Sequence, residues 1–149
     1  MTLAMVTICE SIAALDVEGV TIKDIDQVPP DCTRLVPVLF PEPLNFLTDF
    51  IMARNSYGGG STAKMTVDYN LHYTFCLVPI GAGRTGLDYY DKLLTKVAAI
   101  LDEVLAIDVV NGAIDLIPES PIEFGPVPDP AGNQYLGCRF VFHVQEFVN

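Results

Sequence analysis

Met65-Thr66-Val67-Asp68-Tyr69-Asn70-Leu71-His72-Tyr73-Thr74-Phe75-Cys76-Leu77 alternates without a fault. Met65, Val67, Tyr69, Leu71, Tyr73, Phe75 and Leu77 fall on one side. Thr66, Asp68, Asn70, His72, Thr74 and Cys76 fall on the other. A period of two marks a strand with one apolar and one polar face. At about 3.3 Å per residue it runs roughly 43 Å, far beyond the usual five or six residues. Paired as a hairpin, a ribbon this long is expected to project beyond a compact body.

Its partner lies upstream. In Leu44 to Arg54, Leu44, Phe46, Phe50 and Met52 partly alternate, while Leu47, Phe50 and Ile51 also fit a helical face. The strand reading is preferred because the glycine-rich loop Asn55 to Ser61 then closes a hairpin. Further upstream, Pro29, Pro30, Pro37, Pro41 and Pro43 forbid a helix and leave a short edge strand, Leu35 to Phe40. Thr2 is placed to cap an opening helix over about residues 3–15, with Val6, Cys9, Ile12 and Ala13 inward. That helix ends before Gly19, and a short strand is expected around Val20 to Ile22.

Downstream, Tyr90, Leu93, Leu94, Val97, Leu101, Val104 and Leu105 recur at three and four, predicting a helix from Asp88 to Ala106. Asn111-Gly112 is a turn that would pair Val109-Val110 with Ala113 to Ile117. Prolines 118, 121, 126, 128 and 130 break the next stretch. A final long strand, Tyr135 to Phe147, turns Leu136, Cys138, Phe140, Phe142 and Val144 to one face and leaves the other half-exposed. These parts make one α+β domain over residues 1–149: an antiparallel or mixed sheet with long strands, packed against one long and one N-terminal helix.

Composition narrows the function. Half of the 149 residues are hydrophobic and 18% are charged, against about 25% in an average soluble domain. Such a chain is expected to hide apolar surface against other subunits. A net charge of −11 argues against a basic nucleic-acid groove. Cys9, Cys32, Cys76 and Cys138 are widely spaced and form no C-x-x-C, so neither a zinc knuckle nor a redox motif is indicated. The start lacks a basic n-region and no run of eighteen apolar residues occurs. An intracellular chain with reduced thiols and no membrane span is expected.

Gly81-Ala82-Gly83-Arg84-Thr85-Gly86 spells the dinucleotide-binding pattern, and its setting opposes that reading. The preceding strand alternates, whereas the first strand of a dinucleotide fold is buried on both faces. Pro79 sits two residues before Gly81, the helical stripe starts only near Tyr89 or Tyr90, and no succession of crossover units follows. His72 and His143 have no patterned acids beside them, and Asp24, Asp26 and Asp31 fall short of a calcium loop. No nucleophile elbow occurs. No catalytic residue, cofactor or metal is expected.

The order of parts resembles the tail terminator and tail completion proteins of long-tailed bacteriophages. The resemblance covers the opening helix, the proline-rich run Leu35-Val36-Pro37-Val38-Leu39-Phe40-Pro41-Glu42-Pro43, the paired long strands ending at Leu77, the helix from Asp88 to Ala106, and Tyr135 to Val144. It implies a non-enzymatic subunit of a ring, usually a hexamer. Such a ring caps the tail tube, ends its polymerisation and receives the head-side connector. It would act in the tail-neck region of the virion after assembly in the host cytoplasm, with DNA passing through an acidic lumen that does not hold it. On this reading subunits meet through strand edges near Leu35, Val38 and Phe40 and near Arg139 and His143. The loop holding Arg54, Tyr57, Gly58, Gly59 and Gly60 meets the tube or the connector. The competing readings are another neck, head-closure or minor tail protein, and a small nucleotide-binding enzyme using Gly81 to Gly86.

Overall fold

The computed structural model describes residues 3–42, 47–54, 65–81, 89–109, 111–117 and 122–148. In chain order these form α1 (Met5–Ala13), β1 (Thr21–Ile22), a 3-10 turn (Ile25–Gln27), β2 (Val38–Pro41), β3 (Leu47–Arg54), β4 (Met65–Pro79), α2 (Tyr90–Leu105), β5 (Gly112–Leu116), β6 (Ile122–Pro128) and β7 (Gln134–Val148). The fold is α+β, a mixed seven-stranded sheet with two helices.

The alternating stretch is the centre of the sheet. β4 and β7, fifteen residues each, run antiparallel from Met65↔Val148 to Pro79↔Tyr135, with one register shift between Cys76 and Val78. Each strand of this spine is flanked on its outer side by two shorter strands laid end to end. Beside β4, β2 covers Tyr73 to Cys76 and β3 covers Met65 to Leu71. Beside β7, β6 covers Gln134 to Phe140 and β5 covers Phe142 to Glu146. The parallel pair β1–β2 lies outermost at one corner. β4 is antiparallel to every partner, so the strand leading into Gly81 belongs to no doubly wound parallel layer.

The apolar face of the spine is the main core. Val67, Tyr69, Leu71, Tyr73, Phe75 and Leu77 meet Cys138, Phe140, Phe142 and Val144, and both helices cover them. From α2 come Leu93, Val97, Ile100 and Val104, at spacings of four, three and four. The buried stripe is narrower than the sequence pattern implied, since Tyr90, Leu94 and Leu105 stay exposed. From α1 come Ile8, Cys9 and Ile12, while Val6 faces outward.

Several expectations need correction. The long ribbon does not project. Its Met65 end pairs with Val148 at the far end of β7, and from Met65 to Cys76 the strand is paired along both sides within the sheet. Thr2 lies outside the described residues. The N-cap position of α1 is Ala4, which offers no side-chain cap, and its N–H donates instead to Glu146 Oε1 at 2.7 Å. A carboxylate at a helix N-terminus also suits the helix dipole. Val109 makes no hairpin with the segment after Gly112; that segment, β5, pairs with β7. The proline-broken stretch contains a strand, β6, placed at the sheet edge where a residue without an N–H is tolerated.

The second face of the spine is less open than the polar alternation indicated. Cys32, Val38, Phe40, Cys76, Val127 and Tyr135 form a small second core, supported by Val28, Leu35 and Val36. Gly137 of β7 lies under it. A Cβ there would sit 1.8 Å from the Phe75 carbonyl oxygen, so only glycine permits this close approach beside the register shift.

Candidate functional site

Val38 and Phe40, expected at a subunit-forming edge, are 0% and 2% exposed and belong to the second core. Their strand β2 has neighbours on both sides, β1 and β4. Leu35 is half-buried against the same core. Arg139 and His143 stand on β7, which is central and paired along both sides. The proposed edges at Leu35 to Phe40 and Tyr135 to Val144 are therefore interior strands. Proline count alone made β2 look like an edge, but its prolines flank the strand or end it. Arg54 is exposed at the end of β3, and Tyr57, Gly58, Gly59 and Gly60 lie outside the described residues.

Arg139 and His143 share the polar face of the sheet, where charges are stitched across strands. Arg139 Nε pairs with Glu42 Oε1 at 2.9 Å, and Thr74 Oγ1 donates to the same oxygen at 3.3 Å. His143 Nε2 lies 3.0 Å from Asp68 Oδ1, which also accepts from Gln145 Nε2 at 3.2 Å. Asn70 Nδ2 donates to Asp49 Oδ2 at 3.2 Å. The Arg139 guanidinium is partly open to water, and an ion pair of that kind is worth about 0–1 kcal/mol. These pairs link neighbouring strands and set no nucleophile beside a base.

At one end of the spine Asp129 ties two proline-rich loops together. Its Oδ2 accepts from the Cys32 N–H at 3.0 Å, Asn133 Nδ2 at 3.0 Å and the Tyr135 hydroxyl at 2.8 Å. Its Oδ1 accepts from the Asn133 N–H at 2.9 Å. Burial pushes this carboxyl's pKa up, and the hydrogen bonds outweigh that and hold it below the ordinary value. The donors are all consumed internally, so the arrangement is structural. The four cysteines are free and buried. Burial pushes the thiols of Cys9 and Cys32 to about 11 and that of Cys138 to about 12, which leaves them protonated and unreactive.

Two shallow grooves border α2. One, of about 420 Å³, lies between Val36, Pro37, Val78, Pro79 and Lys92. The other, of about 340 Å³, lies between Tyr90, Leu94, Phe124 and Leu136. Among the described residues no group of three or more His, Cys, Asp or Glu side chains is placed to hold a metal. No described helix is long and apolar enough to cross a membrane.

What the sheet does present is an open edge. Among the described strands β3 pairs only with β4, so its outer backbone groups face away from the sheet. Phe50, Ile51 and Met52 are 39%, 59% and 39% exposed, three consecutive large apolar residues on that strand. Edges of this kind are usually blunted by charged side chains, Pro, a bulge or very short length. β6 shows such blunting, with Gly125, Pro126 and Pro128, whereas β3 has a bulge at Asp49 and beyond it Phe50, Ile51 and Met52 in succession with neither charge nor Pro among them. The sequence signal for this site was present in Phe50-Ile51-Met52, whose double periodicity hid which strand would be left outermost.

Comparison with known proteins finds no match: no protein-family model, no curated protein and no solved structure.

Proposed function

We propose that this chain is a non-enzymatic assembly subunit of a long-tailed bacteriophage. Identical copies close into a ring, a hexamer in the related arrangement, on the end of the tail tube. The ring stops tube growth and offers its far side to the head-side connector. The observation that carries the reading is the open β3 edge with Phe50, Ile51 and Met52 exposed in succession. A strand edge of this kind is stabilised by pairing with another chain. The net charge of −11 supports a passage that repels the DNA moving through it. On this reading the protein works in the tail-neck region of the virion.

The test is to mix the purified chain with growing tail tube of the phage that encodes it and to follow tube length by electron microscopy and sedimentation. Tubes that stop growing and carry the protein at one end are the expected result. Unchanged growth, with the chain monomeric throughout, refutes the reading. Labelled chain found inside the head or along the tail shaft of virions points to another structural role.

A further inference from the structure

Two free edges of the sheet lie at the same level of the spine. The register sets Ile51 of β3 beside Asp68, Asp68 beside Gln145, and Gln145 beside Ala113 of β5. Met52, Val67, Glu146 and Gly112 form the next row. This half of the sheet is thus a four-stranded unit, β3-β4-β7-β5, whose two outermost strands each pair on one side only among the described residues.

We infer that copies of this chain join head to tail, the outer edge of β3 in one copy pairing with the outer edge of β5 in the next. The inference rests on the reading that the subunit is completed by identical neighbours. It adds which surfaces meet and in which sense.

Strand direction allows it. β3 is antiparallel to β4, β4 to β7 and β7 to β5, so β3 and β5 run in opposite directions. A second copy set beyond β5 without being turned over therefore presents β3 antiparallel to β5, and every strand in the joined sheet alternates. The faces also agree. Phe50 stacks on Tyr69 and Met52 pairs with Val67, on the helix-covered face. In β5, Ile114 and Leu116 lie beside Val144 and Phe142 on that same face. Joining the edges lays the exposed Phe50 and Met52 against Ile114 and Leu116, and Ile51 beside Ala113 and Asp115.

Length matches as well. The bulge at Asp49, whose φ is 52°, shifts the register between Thr48 and Ile51, leaving Ile51 to Arg54 as the regular outer segment. β5 is five residues. β5 carries one acid, Asp115, on the polar face where it would lie beside Ile51, and no base. The remaining edges fit poorly, since β1 is two residues long and β6 carries two prolines. Because the two joined surfaces differ, the contact is heterologous and builds rings when the rotation per copy closes. The sheet's twist supplies that rotation.

The test uses two variants at exposed positions on the polar face, Ile51→Glu on β3 and Ala113→Lys with Asp115→Lys on β5. Ile51→Glu sets a carboxylate against Asp115, and Ala113→Lys with Asp115→Lys sets two ammonium groups against the apolar Ile51; each is expected to weaken self-association about 100-fold or more, as measured by sedimentation velocity. Mixed in equal amounts, the two variants should assemble again into particles containing both, because each joint then has either native or opposite charges. Hydrogen exchange on the unaltered chain is the second measurement: amides of β3 and β5 should slow together as concentration rises, while those of β6 do not change. Loss of assembly in the β3 variant with none in the β5 variant overturns the inference in favour of a two-fold β3–β3 contact. So does a mixture that stays monomeric, or an unaltered chain that stays monomeric both alone and on tail tube. Rings that form through these edges and leave tube growth unchanged uphold the joint and refute the terminator reading.

Discussion

Replacing Asp129 should be among the costliest single changes to a carboxylate in this chain. Four hydrogen bonds end on it, from two backbone N–H groups, one amide side chain and one hydroxyl. Hydrogen bonds to a charged group are worth about 1.5–3 kcal/mol each, but these share one anion and do not add. With alanine, the Cys32 N–H is left without its carboxylate, while the Tyr135 hydroxyl keeps Thr33 Oγ1 at 3.1 Å. One orphaned buried donor and the loss of the charged network give about 3–5 kcal/mol for Asp129→Ala. For a domain of this size that is a fall in Tm of roughly 10–15 °C. Asp129→Asn can keep three of the bonds with its one carbonyl oxygen, as a neutral acceptor, and must aim its amide at the Asn133 N–H. It should cost about 1.5–3 kcal/mol despite its near-identical shape. The pH dependence has a definite sign. Because the folded pKa lies below the unfolded value of about 3.9, the stabilisation is fully present above that pH and is lost as pH falls through the folded value. Urea melts from neutral pH down to about pH 3 are the assay. A cost under about 1 kcal/mol for alanine, or an acid limb equally steep with and without Asp129, refutes the reasoning.

Three further changes probe the sheet and the first helix. Gly137→Ala should cost more than about 3 kcal/mol or prevent folding, because its Cβ would overlap the Phe75 carbonyl, while Gly81→Ala, with nothing within 4 Å, should not alter the melt. Glu146→Leu strips a buried acceptor from the Ala4 N–H and from the Tyr69 hydroxyl, which donates at 2.5 Å. It should cost about 2–4 kcal/mol and speed hydrogen exchange in α1 first, whereas Glu146→Gln should retain most of the stability. Arg139→Ala breaks an exposed pair with Glu42 and should cost no more than about 1 kcal/mol, less at high salt, by thermal melts in low and high salt.

The alternation of Met65 to Leu77 fixed the spine strand to within two residues, and the three-four spacing after it located α2. Both signals are local, so they survive without knowledge of neighbours. What alternation does not carry is the order in which strands pair. Leu35 to Phe40 looked like an edge because prolines surround it, yet a two-residue parallel strand and the long β4 enclose it. β6 was hidden for the converse reason: Pro126 and Pro128 read as breaks, although a strand at a sheet edge can hold them. Glu146 carries no signal of its own in the sequence, because a lone acid inside the last strand, Tyr135 to Phe147, looks like any solvated side chain. Only the tertiary approach of Ala4 and Tyr69 turns it into the cap of α1.

The same logic of edges explains where the excess hydrophobicity goes. Among the exposed large apolar side chains, Tyr90, Leu94 and Phe124 share the groove beside α2, and scattered ones such as Val6 and Ile25 are ordinary in folded chains. Phe50, Ile51 and Met52 differ in being consecutive, so both faces of one strand are apolar at its open side. A sheet that had to remain solitary would gain by placing a lysine or proline there, as β6 does with Pro126 and Pro128, and one regular register of four residues is short enough for either to suffice. The open segment is thus confined to the half of the sheet whose two outer strands have opposite directions and matching faces, which is the half where adding another copy satisfies both edges at once.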